Sequence, residues 1–193
     1  MTKIISSSIA VLTLAAASQA TIVDFDLTGT AGAGLLFLNE PSVLSGGTGG
    51  EIGAGIFYDD VLNLLTVNVG WGSGNGFTNL TGLVTNQHIH GPTALVNGNG
   101  FTQTASPANF NNLTLTTNTL TGGSIVNVTN TIPLTAAQET QLLNGQFYLN
   151  LHTGTNGGGE VRGFLVPAPV PEPASFSLAA LGALTLLRRH RRA

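Results

Sequence analysis

The sequence contains no cysteine, so disulfide bonds cannot hold this chain of 193 residues together. Charge is also scarce, because Asp, Glu, Lys and Arg together make up 8% of the residues. Aromatic residues amount to 6%, with a single tryptophan, which leaves few platforms for stacking on sugar rings. A stable domain must therefore depend on apolar burial and on strand pairing.

Positive charge is almost confined to the two ends of the chain. Of the six Lys and Arg residues, only Arg162 lies outside the terminal segments. The acidic residues between the ends are Asp24, Asp26, Glu40, Glu51, Asp59, Asp60, Glu139 and Glu160. An acidic surface repels phosphate backbones, and no basic patch is present to release counterions from them. Nucleic-acid binding is therefore excluded.

Residues 1–20 have the pattern of a secretory signal peptide. Lys3 provides a positive start, and an apolar run follows it. Ser18 and Ala20 are the small residues that a signal peptidase requires at its cleavage site. The apolar run is too short for a stable membrane span. We expect cleavage after Ala20, with the exported domain beginning at residue 21.

Residues 167–193 form a tail with three consecutive parts. Alternating prolines stiffen the first part, a linker, and prevent a helix there. Residues 176–187 are apolar and uncharged, and we predict them as a transmembrane segment. The chain then ends in a basic cluster of Arg188, Arg189, Arg191 and Arg192. Because positive charge stays on the cytoplasmic side, the domain would face away from the cytoplasm, anchored in the inner membrane by the tail.

The tail resembles the PEP-CTERM sorting signal. The motif residues are Val170, Pro171, Glu172 and Pro173, followed by the apolar segment and the arginine-rich end. This resemblance implies recognition by an exosortase-type membrane protease in a Gram-negative bacterium that makes extracellular polysaccharide. It also implies a product at the cell surface or in the extracellular space. The alternative is an ordinary tail anchor that is never processed.

Between the two ends, short strands alternate with turns rich in Gly and Asn. The hydrophobic pattern predicts strands at 22–27, 35–38, 52–58, 61–69, 77–84, 87–90, 94–96, 113–115, 125–128, 147–152 and 160–166. It also predicts one helix at 136–143, with Thr135 and Gln138 forming a capping box. We therefore expect a single all-β domain over 21–166, either an antiparallel β-sandwich or a Greek-key barrel, with one short helix.

Three histidines within the domain could form a metal site. His88 and His90 share one face of a predicted strand because side chains alternate along it. His152 lies on another predicted strand, beside the turn that leads to Glu160 and Arg162. Three imidazoles with one open position suit Zn²⁺ or Cu²⁺, with Glu160 as a further ligand or an orienting residue. The alternative is structural, with the imidazoles and a Glu160–Arg162 pair satisfying buried polar groups.

Three motifs resemble those of the chordin-type (CHRD) domain. They read QHIHGP at 87–92, FYLNLHT at 147–153 and GEVRG at 159–163. The resemblance runs from about 22 to 166. It implies an extracellular β domain, which in animals occurs in a secreted antagonist of a growth factor. In bacteria the role of such domains is largely undefined, so the resemblance implies a fold and a compartment rather than an activity.

No catalytic arrangement stands out, and we expect that the protein is not an enzyme. The glycine-rich run at 72–76 has neither the lysine nor the βαβ unit of a phosphate-binding loop, and no serine lies in a nucleophile elbow. We expect a binding or structural module of the cell surface or extracellular matrix, whose partner is polysaccharide or another surface protein. The alternative is a metal-binding domain that uses His88, His90 and His152, with redox activity if the metal is copper.

Overall fold

The structure is a computed structural model, and it describes residues 21–94, 101–110, 113–129 and 132–169. The predicted signal peptide with its cleavage site at Ala20 lies outside the described residues. The same holds for the sorting motif, the predicted transmembrane segment and the arginine cluster of the tail. Within the described ranges, no helix has the length and apolar character that a bilayer span requires.

The described residues form ten strands and one α-helix. In chain order these are β1 (Ile22–Gly29), β2 (Gly32–Ala33), β3 (Leu35–Leu36), β4 (Thr48–Asp59), β5 (Leu64–Trp71), β6 (Val84–His90), β7 (Thr117–Thr119), β8 (Gly122–Thr129), α1 (Ala136–Leu143), β9 (Tyr148–Thr153) and β10 (Val161–Pro167). Short 3-10 helices cover Phe37–Asn39 and Ser73–Asn75. All strand pairings among these elements are antiparallel, which confirms the predicted all-β class.

The strands follow the order β2-β1-β10-β3-β4-β5-β8-β7, and β9 adds to β10 on one side and to β6 on the other. Strand β1 changes its partner along its length. Its first half pairs with β4, and its second half pairs with β10, with Phe25 common to both pairings. A strand that passes from one partner to another in this way folds the sheet over itself, as in a β-sandwich.

The core lies on one face of β5. Leu65, Val67, Val69 and Trp71 alternate along this strand, and each has an exposed fraction of 1% or less. Gly123 on β8 packs against the Trp71 indole so closely that a Cβ atom there would lie 2.4 Å from the ring. A glycine is therefore needed opposite the single tryptophan.

The β4–β5 hairpin contains a bulge that the sequence pattern did not predict. The pairing register shifts between Glu51 and Ile56. Gly53 and Gly55 within this stretch have φ angles of 58° and 70°, a left-handed region that favours glycine. The Asn68 side chain on β5 donates to the Gly55 carbonyl at 2.8 Å, which replaces a lost ladder bond. The bulge lets the long strand β4 bend across the sandwich.

Helix α1 has the predicted bounds and the predicted cap. The Thr135 hydroxyl accepts from the Gln138 backbone N–H at 3.3 Å, and the Gln138 side chain accepts from the Thr135 N–H at 2.9 Å. Gly145 just beyond the helix has a φ of 69°, which provides the left-handed exit. The chain then enters β9 directly, so the helix end positions a strand of the candidate site.

Two predicted strands are wrong. Residues 77–83 form a loop, because their backbone makes isolated hydrogen bonds rather than a strand ladder. The Thr78 carbonyl accepts from the Thr48 N–H at the start of β4, and the Thr81 N–H donates to the Glu160 carboxylate. Residues 113–115 are also irregular, and strand pairing begins instead at Thr117 in β7. The predicted strand 35–38 ends at Leu36, where a 3-10 helix turns Leu38 outward.

Candidate metal centre

Strands β6 and β9 place three imidazoles on one face of the sheet. In their antiparallel register, His88 lies opposite Asn150 and His152 lies opposite Asn86. Because side chains alternate, His88, His90 and His152 all project from the same side. The ring centroid of His88 is 5.5 Å from that of His90 and 5.0 Å from that of His152. The structure thus brings together the three histidines that the sequence singled out.

The ring nitrogens are close enough to share an ion. One ring nitrogen from each of the three histidines can be chosen so that all lie within 4.8 Å of one another. The Nδ1 atom of His88 and the Nε2 atom of His152 are 3.2 Å apart. Zn–N bonds of about 2.0–2.1 Å in a tetrahedron require ligand nitrogens roughly 3.3 Å apart. The His88–His152 pair meets that spacing, and a small movement of His90 would complete the set.

His90 has one nitrogen engaged and the other free. Its Nδ1 atom lies 2.7 Å from the carbonyl oxygen of Ala105, which can only accept, so Nδ1 carries the proton. The Nε2 atom therefore presents a lone pair. That atom is buried and has no hydrogen-bond partner among the described residues, and the whole side chain is 8% exposed. A buried acceptor without a partner costs about 1–3 kcal/mol, which a bound cation would remove.

His152 is oriented in the same manner. Its Nδ1 atom donates to the carbonyl oxygen of Gly157 at 3.0 Å, so its Nε2 atom also carries a lone pair. This lone pair faces Nδ1 of His88. A backbone carbonyl on Nδ1 and an open Nε2 form the arrangement in which imidazoles commonly bind metals.

The environment favours neutral imidazoles, the form that binds a metal. Burial lowers the pKa of His88, and the nearby His152 lowers it further. Burial also lowers the pKa of His90; the bond to Ala105 opposes this shift, while His152, His88 and Arg162 add to it. Both rings are therefore ready to bind a cation at neutral pH without losing a proton.

A stack of side chains supports His90 from beneath. The Tyr148 ring lies parallel to the His90 ring, with centroids 5.0 Å apart and an angle of 13° between the planes. The Tyr148 hydroxyl oxygen accepts from the Ala105 N–H at 3.1 Å. The guanidinium of Arg162 lies 4.9 Å from the centroid of the Tyr148 ring. Sequence reasoning missed Tyr148, although alternation along the predicted strand places it on the same face as His152.

Glu160 does not join the imidazoles in the structure. Its carboxylate accepts from the Gly47 N–H at 3.0 Å, from the Thr81 N–H and hydroxyl at 2.7 and 2.5 Å, and from the Thr153 hydroxyl at 2.7 Å. Burial alone would raise the pKa of Glu160, but the hydrogen bonds from Thr81, Thr153 and Gly47 outweigh it and lower the pKa. Both oxygens are thus committed to loop groups.

The predicted Glu160–Arg162 pair does not form either. Arg162 lies instead 3.7 Å from the carboxylate of Glu40, and the guanidinium is fully buried. Burial raises the pKa of Glu40, although the positive charge of Arg162 opposes that shift. The two residues diverge because Glu160 precedes β10 and turns toward the neighbouring loops, whereas Arg162 lies within the strand.

Comparisons with known proteins agree with the two resemblances. A family model described as CHRD domain matches residues 28–165, and one described as PEP-CTERM protein-sorting motif matches residues 169–192. The first match includes both strands that carry the three histidines. No curated protein and no solved structure matches the chain.

Proposed function

Because the chain belongs to the CHRD domain family and ends in a PEP-CTERM protein-sorting motif, we propose that it is a surface module that binds Zn²⁺ or Cu²⁺ through His88, His90 and His152. The sorting motif implies export, a surface or extracellular destination and processing by exosortase-type machinery. Before processing, the tail would hold the chain at the inner membrane. After processing, the β domain would act outside the cell.

One observation carries the metal assignment. The Nε2 atom of His90 is buried and has no hydrogen-bond partner among the described residues, and one ring nitrogen of each of the three histidines lies within 4.8 Å of the other two. Imidazoles retained only for packing would be expected to satisfy one another's polar atoms. Here a bound cation would satisfy the atom that the protein leaves open. The structural role that the sequence allowed explains this arrangement less well.

We propose binding rather than catalysis. Within the part of the chain that the structure describes, the cluster contains no carboxylate that could act as a general base beside the ion. Three imidazoles leave a fourth position for water or for a donor from extracellular polysaccharide or a surface protein. If the ion is copper, the same site could exchange electrons, which would make the module redox-active.

Calorimetric titration of the full chain in mild detergent with ZnCl₂ and CuCl₂ tests the proposal. We expect one ion per chain with a Kd in the micromolar range or tighter, and loss of binding in His152→Ala. His190→Ala removes the one histidine outside the domain and should bind as the wild type does. Absence of heat with both metals, or equal binding by the two variants, would overturn the metal assignment.

Cell fractionation with mass mapping of both termini tests the sorting part. We expect a surface or medium fraction that begins at Thr21 and lacks the arginine cluster of the tail. An intact chain that remains in the inner membrane would support an unprocessed tail anchor instead.

A further inference from the structure

We infer that Glu160 and Arg162 are positioning residues for the proposed metal site, because each anchors the loop whose backbone carbonyl orients one ligand imidazole. The inference rests on the proposed function. It assigns a role to the two side chains of the GEVRG motif that the imidazole cluster leaves unexplained. The two residues flank Val161 at the start of β10, the strand that pairs with β9.

Arg162 anchors the loop that serves His90. The guanidinium is fully buried and donates to the carbonyl oxygens of Phe101 at 2.6 Å and of Gln103 at 3.0 Å. Its Nε donates to the carbonyl of Asn39 at 2.6 Å, which fixes the side chain from the opposite side. Two residues after Gln103 comes Ala105, whose carbonyl holds Nδ1 of His90. Arg162 therefore determines where that carbonyl lies.

Tyr148 connects Arg162 to His90 by a second route. Its ring centroid lies 4.9 Å from the guanidinium carbon of Arg162, and its ring stacks on the imidazole of His90. Its hydroxyl accepts from the N–H of Ala105, the residue whose carbonyl orients His90. The loop and the imidazole are thus held by the same stack. Lysine could keep the charge of Arg162 but not its planar fork of donors.

Glu160 anchors the turn that serves His152. Its carboxylate accepts from the Thr153 hydroxyl at 2.7 Å and from the Asn156 side chain at 3.3 Å. The Asn156 N–H in turn donates to the Thr153 hydroxyl at 3.1 Å, so one network spans the turn between β9 and β10. Gly157 follows in this turn, and its carbonyl accepts from Nδ1 of His152.

Glu160 also ties the turn to the rest of the domain. The same carboxylate accepts from the backbone N–H groups of Gly47 and Thr81, which belong to two other loops. The turn is therefore held at both sides, and the Gly157 carbonyl keeps its place relative to β9. A carbonyl that is fixed in this way selects the tautomer and the plane of the imidazole, and outer partners of this kind change metal affinity by about 10- to 100-fold.

Copper binding and copper EPR in the full chain test this inference. We expect Glu160→Gln and Arg162→Lys each to weaken Cu²⁺ binding by about 10- to 100-fold and to change the EPR spectrum of the bound ion. Val67→Ala is the matched control, because it destabilises the core of β5 without touching either loop. It should melt at a lower temperature but keep the wild-type affinity and spectrum.

The outcomes separate the two proposals. If wild-type protein binds Cu²⁺ and the folded variants keep its affinity and spectrum, the positioning role is wrong and the metal site stands. If wild-type protein binds no metal, both fail. Folding of each variant is judged from the near-ultraviolet circular dichroism of buried Trp71. If Arg162→Lys does not fold, Tyr148→Phe takes its place in the copper EPR test. This variant removes only the hydroxyl that holds Ala105, and an unchanged spectrum would overturn the role of Arg162, while Glu160→Gln tests the role of Glu160 separately.

Discussion

Nδ1 of His88 lies 3.2 Å from Nε2 of His152, although the two residues are 64 positions apart in the chain. Since the Gly157 carbonyl holds the proton of His152 on Nδ1, its Nε2 can only accept. The gap is therefore filled either by the proton of His88 or by a cation. With a proton there, Nε2 of His90 has no hydrogen-bond partner among the described residues, whereas a cation could bind all three rings.

Acid should release the metal. Burial lowers the pKa of His88 and of His90 from the ordinary value of 6.5, so at pH 7 these two rings are neutral and present lone pairs to the ion. We expect the affinity for Zn²⁺ to stay constant from pH 8 to about 6.5 and to fall at lower pH, as measured by calorimetric titration across this range. A steep loss between pH 8 and pH 7 would contradict the lowered pKa values.

The metal-free domain should also lose stability in acid. Because the folded pKa of both histidines lies below the unfolded one, the unfolded chain binds more protons as the pH drops below about 6.5. The free energy of unfolding should therefore decline below that pH, as urea denaturation in the presence of a chelator would show. In His88→Ala and His90→Ala this part of the decline should be smaller.

Replacing Glu160 should change how stability responds to lower pH. Hydrogen bonds lower the pKa of its carboxyl below the ordinary 4.5, so its stabilising effect is present above that value and is lost as the pH falls through the folded pKa. Glu160→Gln should cost about 1–3 kcal/mol near neutral pH, because it removes a buried acceptor. The difference between the wild type and the variant should shrink below pH 4.

The pKa shift of Glu40 has the opposite direction to that of Glu160, because burial raises the pKa of Glu40. The difference between the wild-type and Glu160→Gln curves, measured by urea denaturation at each pH, cancels that contribution. A difference that remains constant down to pH 3 would show that the Glu160 hydrogen bonds do not depend on its charge.

Adding a methyl group at Gly123 should destabilise the core. The new Cβ would lie 2.4 Å from the Trp71 ring and 2.5 Å from the carbonyl oxygen of Thr117, so β7 and β8 would have to separate. We expect a loss of about 1–3 kcal/mol in chemical denaturation. Gly154→Ala is the control, because nothing lies within 4 Å of its added Cβ and the stability should be nearly unchanged.

Removal of the leader should strengthen one contact. The backbone nitrogen of Thr21 lies 2.8 Å from a carboxylate oxygen of Asp60. Cleavage after Ala20 would turn this nitrogen into an ammonium group and the contact into an ion pair. At pH 6, a chain that begins at Thr21 should melt roughly 1–3 °C above one that retains Ala20. Asp60→Asn should remove the difference, and equal melting temperatures in the parent pair would contradict it.

Local patterns predicted those parts of the structure that depend on local rules. Alternation placed His88 and His90 on one face, and the cap residues Thr135 and Gln138 predicted the start of α1. The hydrophobic pattern at 77–84 failed as a strand signal over 77–83, where Glu160 binds the Thr81 backbone from 79 residues away. Hydrogen bonds between residues so far apart in the chain produce no hydrophobic periodicity from which they could be predicted.

The sequence predicted the three candidate metal ligands, but not the residues that position them. Whether His152 reaches His88 depends on the register of β6 against β9, which is set by distant chain pairing rather than by either motif. The distinct partners of Glu160 and Arg162 also follow from loop positions. Arg162 carried one usable signal, because the only basic residue of an acidic domain is a natural candidate for a buried ion pair.

The burial of Arg162 has a consequence for survival outside the cell. Between residues 21 and 169 the chain contains no other arginine and no lysine. A trypsin-like protease cuts only after these residues, and the side chain of Arg162 is enclosed. While it remains folded, the exported domain therefore presents such proteases with no cleavable bond, and digestion must wait for unfolding.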